Sequence, residues 1–152
     1  MKTLAHADSL AEIVARLRTV RPDSAGRWGR MSAHQMICHL ADGCRMALGD
    51  KRVKETAVPI PRALLRWVVL SMPLPWPHGI PTSPEIDQRC GGTAPEDFAA
   101  DVRRLEALLD TMTRRGVNGP GARHPLFGRM SPAAWLRWGY RHADHHLRQF
   151  GA

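Results

Sequence analysis

Apolar residues recur every three or four positions along four long stretches of the chain, which is the spacing of one face of an α-helix. These stretches cover residues 8–20, 32–49, 93–115 and 131–150. A shorter apolar run of the same kind covers residues 63–71. No segment shows the apolar–polar alternation of a strand pair. The pattern therefore predicts four principal helices and one short helix.

The residue types at the predicted helix starts fit this division. Asp8 or Ser9 is expected to cap the first helix, because a short polar side chain accepts a hydrogen bond from a free backbone N–H. Ser32 to Gln35 and Thr93 to Glu96 each have the sequence of a capping box. Ser131 is followed by a proline, which favours the first helical position. These signals predict where the second, third and fourth long helices begin.

The length of the chain and its long loop limit the number of domains and the possible folds. The chain has 152 residues, which is enough for one hydrophobic core. We expect a single all-α domain, residues 1–152, whose four principal helices form an antiparallel bundle with an extra short helix. The long stretch from Met72 to Pro95 is rich in proline and is predicted to be irregular. A loop of this length is either functional or unstructured, and its Trp76 and Ile80 favour packing over another surface.

Composition excludes several classes of protein. Hydrophobic residues make up 43% of the chain and charged residues 24%, which is ordinary for a globular protein. No apolar stretch approaches the roughly 18 residues that a membrane span needs. The best candidate, residues 63–74, is too short and contains Arg66. Asp8 and Glu12 interrupt the apolar N-terminal segment, so no secretory signal is predicted. We therefore expect a cytoplasmic protein with no membrane partner.

The positive charge of the chain does not favour a nucleic-acid partner. The 22 Lys and Arg residues against 14 Asp and Glu residues give a net charge of +8. A phosphate-binding surface concentrates such charge on one face or tail. Here the basic residues, mostly arginines, are scattered, and no run of five like charges occurs. The simplest interpretation is a solvated, arginine-rich surface.

The last predicted helix carries three histidines within five residues, His142, His145 and His146. Residues four apart lie on one face of a helix, so His142 and His146 can aim two imidazoles at one point. A pair with this spacing also occurs in helical zinc sites, although the glutamate of the HExxH motif is absent here. His142 and His145 form a competing pair, and the spacing alone leaves the choice open.

A bundle-core metal site draws further ligands from a facing helix. In the second helix His39 lies within the apolar run and is favoured over His34, which lies in the first turn. Gly43, one turn after His39, costs helix stability and indicates a need for open space or close approach. Three neutral imidazoles with an open position suit a catalytic divalent metal such as zinc, nickel or iron. Asp144 or Gln149 could orient the ligands.

Three strings of residues, taken together and in order, resemble the DinB/YfiT-like superfamily. They are MSAHQMICHLAD at Met31 to Asp42, HPLFG at His124 to Gly128 and HADHHLRQ at His142 to Gln149. The closest likeness is to an uncharacterised bacterial branch of that superfamily, marked by HPLFG and HHLRQF strings. The likeness runs from about Trp28 to Phe150.

The resemblance implies a four-helix bundle with a three-histidine metal site. The ligands would be His39 from the second helix and His142 and His146 from the last, whereas His145 matches a position that is usually not a ligand. The superfamily includes thiol-dependent S-transferases and isomerases. The implied function is therefore a divalent-metal enzyme that activates water or a low-molecular-weight thiol for transfer or hydrolysis on a small molecule. Dimers are common in the superfamily, so a homodimer is expected.

Two other functions stay open from the sequence: a non-catalytic, stress-related metal-binding dimer and a basic nucleic-acid-binding module. No catalytic residue is assigned. Cys38, Cys44 and Cys90 are expected to be small buried hydrophobes, since they form no CxxC pair. His124 is expected to serve loop architecture. Asp42, one turn from His39, fits a residue that orients a ligand, a base or a solvated helix residue. No role is assigned to the remaining histidines, His6 and His78.

Overall fold

The protein is all-α. The computed structural model describes residues 1–72, 74–117 and 122–152. Its five α-helices are α1 (Ala7–Leu17), α2 (Ala33–Leu48), α3 (Arg62–Ser71), α4 (Phe98–Arg114) and α5 (Pro132–Gln149). A 3-10 turn, Pro84–Ile86, interrupts the proline-rich stretch. No strand occurs within the described ranges, where an isolated bridge pairs His124 with Gly128.

The predicted starts of α2 and α5 are confirmed, because both depend on local hydrogen bonds. The hydroxyl of Ser32 accepts from the backbone N–H of Gln35, whose side-chain oxygen accepts from the backbone N–H of Ser32. The helix ends at Leu48, and Gly49 follows with a φ of 90°, in the left-handed region that favours glycine. At α5, the hydroxyl of Ser131 accepts from the backbone N–H of Ala134.

The predicted cap of α1 is wrong. The helix begins at Ala7 with His6 at the N-cap position, so neither Asp8 nor Ser9 caps it. The backbone N–H of Ser9 donates to the carbonyl of His6 instead. The helix ends at Leu17, three residues before the predicted limit, because the chain closes a tighter turn there.

The capping box predicted at the start of α4 is also wrong. Thr93 donates through its backbone N–H and its hydroxyl to the carboxylate of Asp42, at 2.8 and 2.7 Å. The backbone N–H of Glu96, which a capping box would pair with the hydroxyl of Thr93, donates instead to the carboxylate of Asp101 at 3.2 Å. Asp97 caps α4 instead by accepting from the backbone N–H of Ala100. Asp42 is fully buried, so it is not a solvated helix residue.

The helices pack so that α2 and α5 face each other across the core. α2 packs against α4 and α5, α1 packs against the same two helices, and α3 packs against α5. Fully buried apolar side chains come from all four long helices: Ile13, Leu17, Met36, Ile37, Leu105, Met112, Trp135 and Leu147. Each such side chain contributes about 1.5–3 kcal/mol relative to exposure. Among the described helices, none is long and apolar enough to cross a membrane.

The proline-rich stretch lies over the region where α2 and α5 meet. Its 3-10 turn packs on α2 through Ile86, which is buried. The indole N–H of Trp76 donates to the carbonyl of Val69 at 3.1 Å, which ties the stretch to α3. The predicted packing of this stretch over another surface is therefore present at Trp76 and Ile86, whereas Ile80 is exposed.

Candidate metal centre

Three imidazoles from α2 and α5 converge in the core of the protein. His39 projects from α2, and His142 and His146 project from successive turns of α5. One ring nitrogen from each lies within 4.8 Å of the other two. The Nε2 atoms of His39 and His142 are 3.0 Å apart. The three side chains, here called the histidine cluster, are between 4% and 8% exposed.

Neighbouring groups fix the proton positions of two of these rings. His39 Nδ1 lies 2.8 Å from the carbonyl oxygen of Ile86, which only accepts, so Nδ1 carries the proton and Nε2 the lone pair. His146 Nδ1 lies 2.8 Å from Gln149 Oε1. The amide of Gln149 is oriented in turn because its Nε2 donates to the carbonyl of Trp28 at 2.7 Å. His39 and His146 therefore both keep Nε2 free as a lone-pair donor.

Burial keeps the cluster neutral. It lowers the pKa of His39 and lowers the pKa of His142 and His146 well below the ordinary value, because the charged form loses its hydration. Charge on one ring would further disfavour charge on the others. All three imidazoles are therefore in the form that coordinates a metal at neutral pH.

Gly43 allows His142 to lie directly against the backbone of α2. A Cβ atom at Gly43 would lie 3.2 Å from Cε1 of His142 and 3.1 Å from Cη2 of Trp138. The rings of Trp138 and His142 stack with centroids 4.6 Å apart. The close approach predicted from the glycine is present, and it holds the ring plane of His142.

The geometry and chemistry of the donor set fit a divalent transition metal. Two imidazole nitrogens at tetrahedral positions around zinc are roughly 3.3 Å apart, given zinc–nitrogen distances of about 2.0–2.1 Å. The 3.0 Å between the Nε2 atoms of His39 and His142 is close to that spacing. Three neutral nitrogen donors suit zinc, nickel or iron better than the oxygen-preferring magnesium or calcium.

The histidines that competed with the cluster in the sequence lie outside it. The ring of His145 is 5.1 Å from that of His146 by centroid, and it faces Trp28 at 5.7 Å and Trp76 at 5.9 Å. The Nε2 of His34 lies 2.8 Å from the carboxylate of Asp101 on α4. The structure thus brings together the three predicted residues, and their role as metal ligands stays a prediction.

A second group of potential ligands, His34, Cys38 and Asp101, lies between α2 and α4. Its carboxylate is already engaged, because Asp101 accepts from Arg104 at 2.5 Å and from the backbone N–H of Glu96 at 3.2 Å. Burial raises the pKa of Cys38 to about 12, so its thiol stays protonated. This group is an ion-pair network that joins two helices and offers no thiolate to a metal.

The remaining predicted residues have mixed outcomes. Cys44 is a buried hydrophobe as expected, and burial raises its pKa to about 12, whereas Cys90 is exposed because it lies in a surface turn. The Nδ1 of His124 accepts from the backbone N–H groups of Leu126 and Phe127, at 3.2 and 3.3 Å. The architectural role predicted for His124 is therefore present.

Of the groups that orient the cluster, the amide of Gln149 was predictable from the sequence and the carbonyl of Ile86 was not. Three residues were candidates to orient a ligand, and Gln149 does so. Asp144 pairs with Arg16 at 2.8 Å, and Asp42 accepts from Thr93. The carbonyl of Ile86 was missed, because every residue carries such a group and no side chain marks it. His78, to which no role was assigned, stacks on Trp28 with ring centroids 3.9 Å apart.

These observations define an all-α protein with a buried three-histidine cluster between two facing helices. From residue 2 to residue 152 the chain matches the family described as "Protein of unknown function (DUF1569)", and it belongs to that family. No curated protein and no solved structure matches the chain.

Proposed function

We propose that the protein is a metal-dependent enzyme that binds one divalent cation through His39, His142 and His146 and acts on a small molecule. The observation that carries this proposal is the convergence of three buried, neutral imidazoles, two of them with Nε2 left unprotonated by their partners. A merely structural core would fill this position with apolar side chains, since burying unpaired polar groups costs free energy.

A divalent cation at this position would supply Lewis-acid chemistry, lowering the pKa of water or of a thiol cofactor. The residues around it have separate tasks. The carbonyl of Ile86 and the amide of Gln149 orient two ligands, and Gly43 with Trp138 fixes the plane of the third. The proline-rich stretch covers the cluster and limits access of bulk water. The proposed reaction class is transfer or hydrolysis.

We also propose that the fold is a four-helix bundle of the DinB/YfiT-like type, with α3 as the extra helix. The mutual packing of α1, α2, α4 and α5 supports this arrangement. The supply of one histidine from α2 and two from α5 follows the ligand pattern that the resemblance implies. The homodimer implied by the same resemblance stays a prediction.

Metal analysis of matched variants tests the proposal. Protein purified without chelator is expected to contain about one zinc, nickel or iron ion per chain by elemental analysis. Alanine at His39, His142 or His146 should remove that metal. Alanine at His145 or His34 is the matched control and should keep it. Circular dichroism should establish that each variant is folded. Wild-type protein that takes up none of the three metals would refute the proposal.

Activity and salt dependence separate the alternatives. The enzyme hypothesis predicts turnover with at least one of a panel of low-molecular-weight thiols, lost together with the metal. A non-catalytic metal-binding protein would bind the metal and show no turnover. A nucleic-acid-binding module would bind duplex or single strands at low salt, with an affinity that falls steeply as salt rises. Such binding, unchanged by removal of the metal, would contradict the metal-dependent proposal.

A further inference from the structure

A cleft of about 600 Å³ opens beside the histidine cluster. It is lined by residues of α1 and α5 and by the segment 74–78. This volume lies within the roughly 300–1,000 Å³ typical of small-molecule sites. His145 and Trp76 line the cleft and also adjoin the cluster, with ring centroids 5.1 Å from His146 and 6.3 Å from His142. His145 and Trp76 thus connect the cleft to the cluster, whose three histidines do not themselves line it.

The side chains around this cleft have an excess of positive charge. Four cationic groups and two carboxylates line it: Lys2, Arg16, Arg141, Arg148, Glu12 and Asp144. Asp144 is shared by two of the arginines, at 2.8 and 2.7 Å. Glu12 accepts from the lysine at 2.6 Å. Both carboxylates are thus already paired, and the remaining cation is Arg141.

The guanidinium of Arg141 has N–H donors that are not used in hydrogen bonds within the described residues. Its two terminal nitrogens donate to the backbone carbonyls of Met72 and Leu74. Among the described residues, no carboxylate forms an ion pair with it. A guanidinium has five N–H donors, so about three stay available after two carbonyl bonds. A half-buried cation with free donors and neutral partners is suited to an anionic group of a ligand.

Aromatic surfaces lie next to this cation. The guanidinium of Arg141 is 5.6 Å from the ring centre of Trp76. Trp28 also lines the cleft, and His78 stacks on it with the two ring planes 9° apart. Trp76 and the Trp28–His78 stack therefore provide flat apolar surface, which suits an aromatic or other planar group.

We propose that this cleft binds a small organic anion, whose acidic group pairs with Arg141 and whose planar apolar part lies against Trp76 and the Trp28–His78 stack. The identification of this anion as the substrate of the metal centre rests on the proposed function. Its binding to the cleft does not require the metal and is tested separately.

A matched pair of ligands, 2-naphthoate and 2-naphthamide, separates the acidic group from the ring. Isothermal titration calorimetry should be done on chelator-treated protein and on zinc-loaded protein. We expect 2-naphthoate to bind about tenfold or more tightly than the amide in both forms, because a charge-assisted pair replaces a neutral contact. Binding of neither compound, or equal binding of both, would overturn the proposal.

Variants of the cleft assign the preference to its residues. Arg141→Gln should weaken naphthoate about tenfold and leave naphthamide unchanged, and Arg141→Lys should keep part of the preference. Trp76→Ala should weaken both compounds. Arg103→Gln, on the exposed surface of α4, removes the same charge elsewhere and is the control. Equal loss of both ligands in Arg141→Gln would mean that Arg141 only shapes the cleft, and unchanged naphthoate binding would exclude its role.

Metal content measured on the same samples keeps the two proposals apart. Arg141→Gln should retain the metal of the wild type, since the guanidinium of Arg141 donates to the carbonyls of Met72 and Leu74, outside the histidine cluster. If naphthoate binds only when zinc is loaded, and Arg141→Gln has no effect, the acid binds the metal and the cleft proposal fails. If no metal binds but the naphthoate preference is present, the proposed function fails and the anion site stands.

Discussion

Replacing Gly43 by alanine tests whether the packing between α2 and α5 positions His142. The added methyl group would lie 3.2 Å from Cε1 and 3.3 Å from Nδ1 of His142, and 3.1 Å from Cη2 of Trp138. Both rings are at least 92% buried and stack on each other, and the cavity beside them is only about 10 Å³. The methyl group therefore has to push the His142 ring or separate the two helices.

Two opposing effects set the magnitude for Gly43→Ala. Alanine favours a helix interior over glycine by about 1 kcal/mol. Overpacking a tight core costs about 1–3 kcal/mol. We expect a net loss of unfolding free energy of about 1 kcal/mol, measured by urea denaturation. Because the strain falls on a ring of the cluster, zinc affinity should fall by about tenfold or more, as it does when groups that orient ligands are changed.

Gly139→Ala is the matched control for this experiment. Its added methyl group would also crowd the core, but against the flexible ends of Leu4 and Met112, at 2.8 and 3.2 Å. It should change stability without changing zinc affinity in a competition titration with a chromophoric chelator. If Gly43→Ala binds zinc as tightly as the wild type, the close approach of α2 does not position His142.

The remaining predictions concern three buried polar residues. Gln149→Leu removes the acceptor for the Nδ1 proton of His146, so zinc affinity should fall about 10-fold or more in the same chelator titration; an unchanged affinity would show that the ring needs no such support. Burial lowers the pKa of His124 from 6.5 to about 3, so its contribution to stability is complete above pH 6.5 and is lost as the pH falls toward 3. The expected loss from this residue between pH 7 and pH 4 is about 3 kcal/mol, and urea denaturation of His124→Asn should show a correspondingly weaker pH dependence. Asp42→Asn weakens a buried carboxylate network and should lower the unfolding free energy by about 2–4 kcal/mol. Glu55→Gln, which weakens an exposed ion pair, should lower it much less. Equal effects of the two substitutions would show that burial does not set the contribution of these carboxylates.

Helix starts were predictable where the capping bonds are local. Ser32 and Ser131 each accept from a backbone N–H three residues on, so a short window of sequence contains the whole interaction. Thr93 shows why the same reasoning failed for α4. Its hydrogen bonds go to Asp42, 51 residues away, and no local pattern reveals that a buried carboxylate will be there.

The candidate site was predictable only in part. Helical spacing brought His142 together with either His145 or His146, and the resemblance to a known superfamily favoured the second pair. Which of the two lies against His39 depends on how α5 is rotated, which is set by packing across the whole core. The carbonyl of Ile86 could not be predicted at all, because its position depends on an irregular segment that has no periodic pattern.

Diffraction from zinc-loaded crystals at the zinc absorption edge tests most directly whether the histidine cluster binds a metal ion. We expect one strong anomalous peak between α2 and α5, at about 2.0–2.1 Å from Nε2 of His39, His142 and His146. A peak held by His145, by His34 or by the surface carboxylates, with none at the histidine cluster, would contradict it.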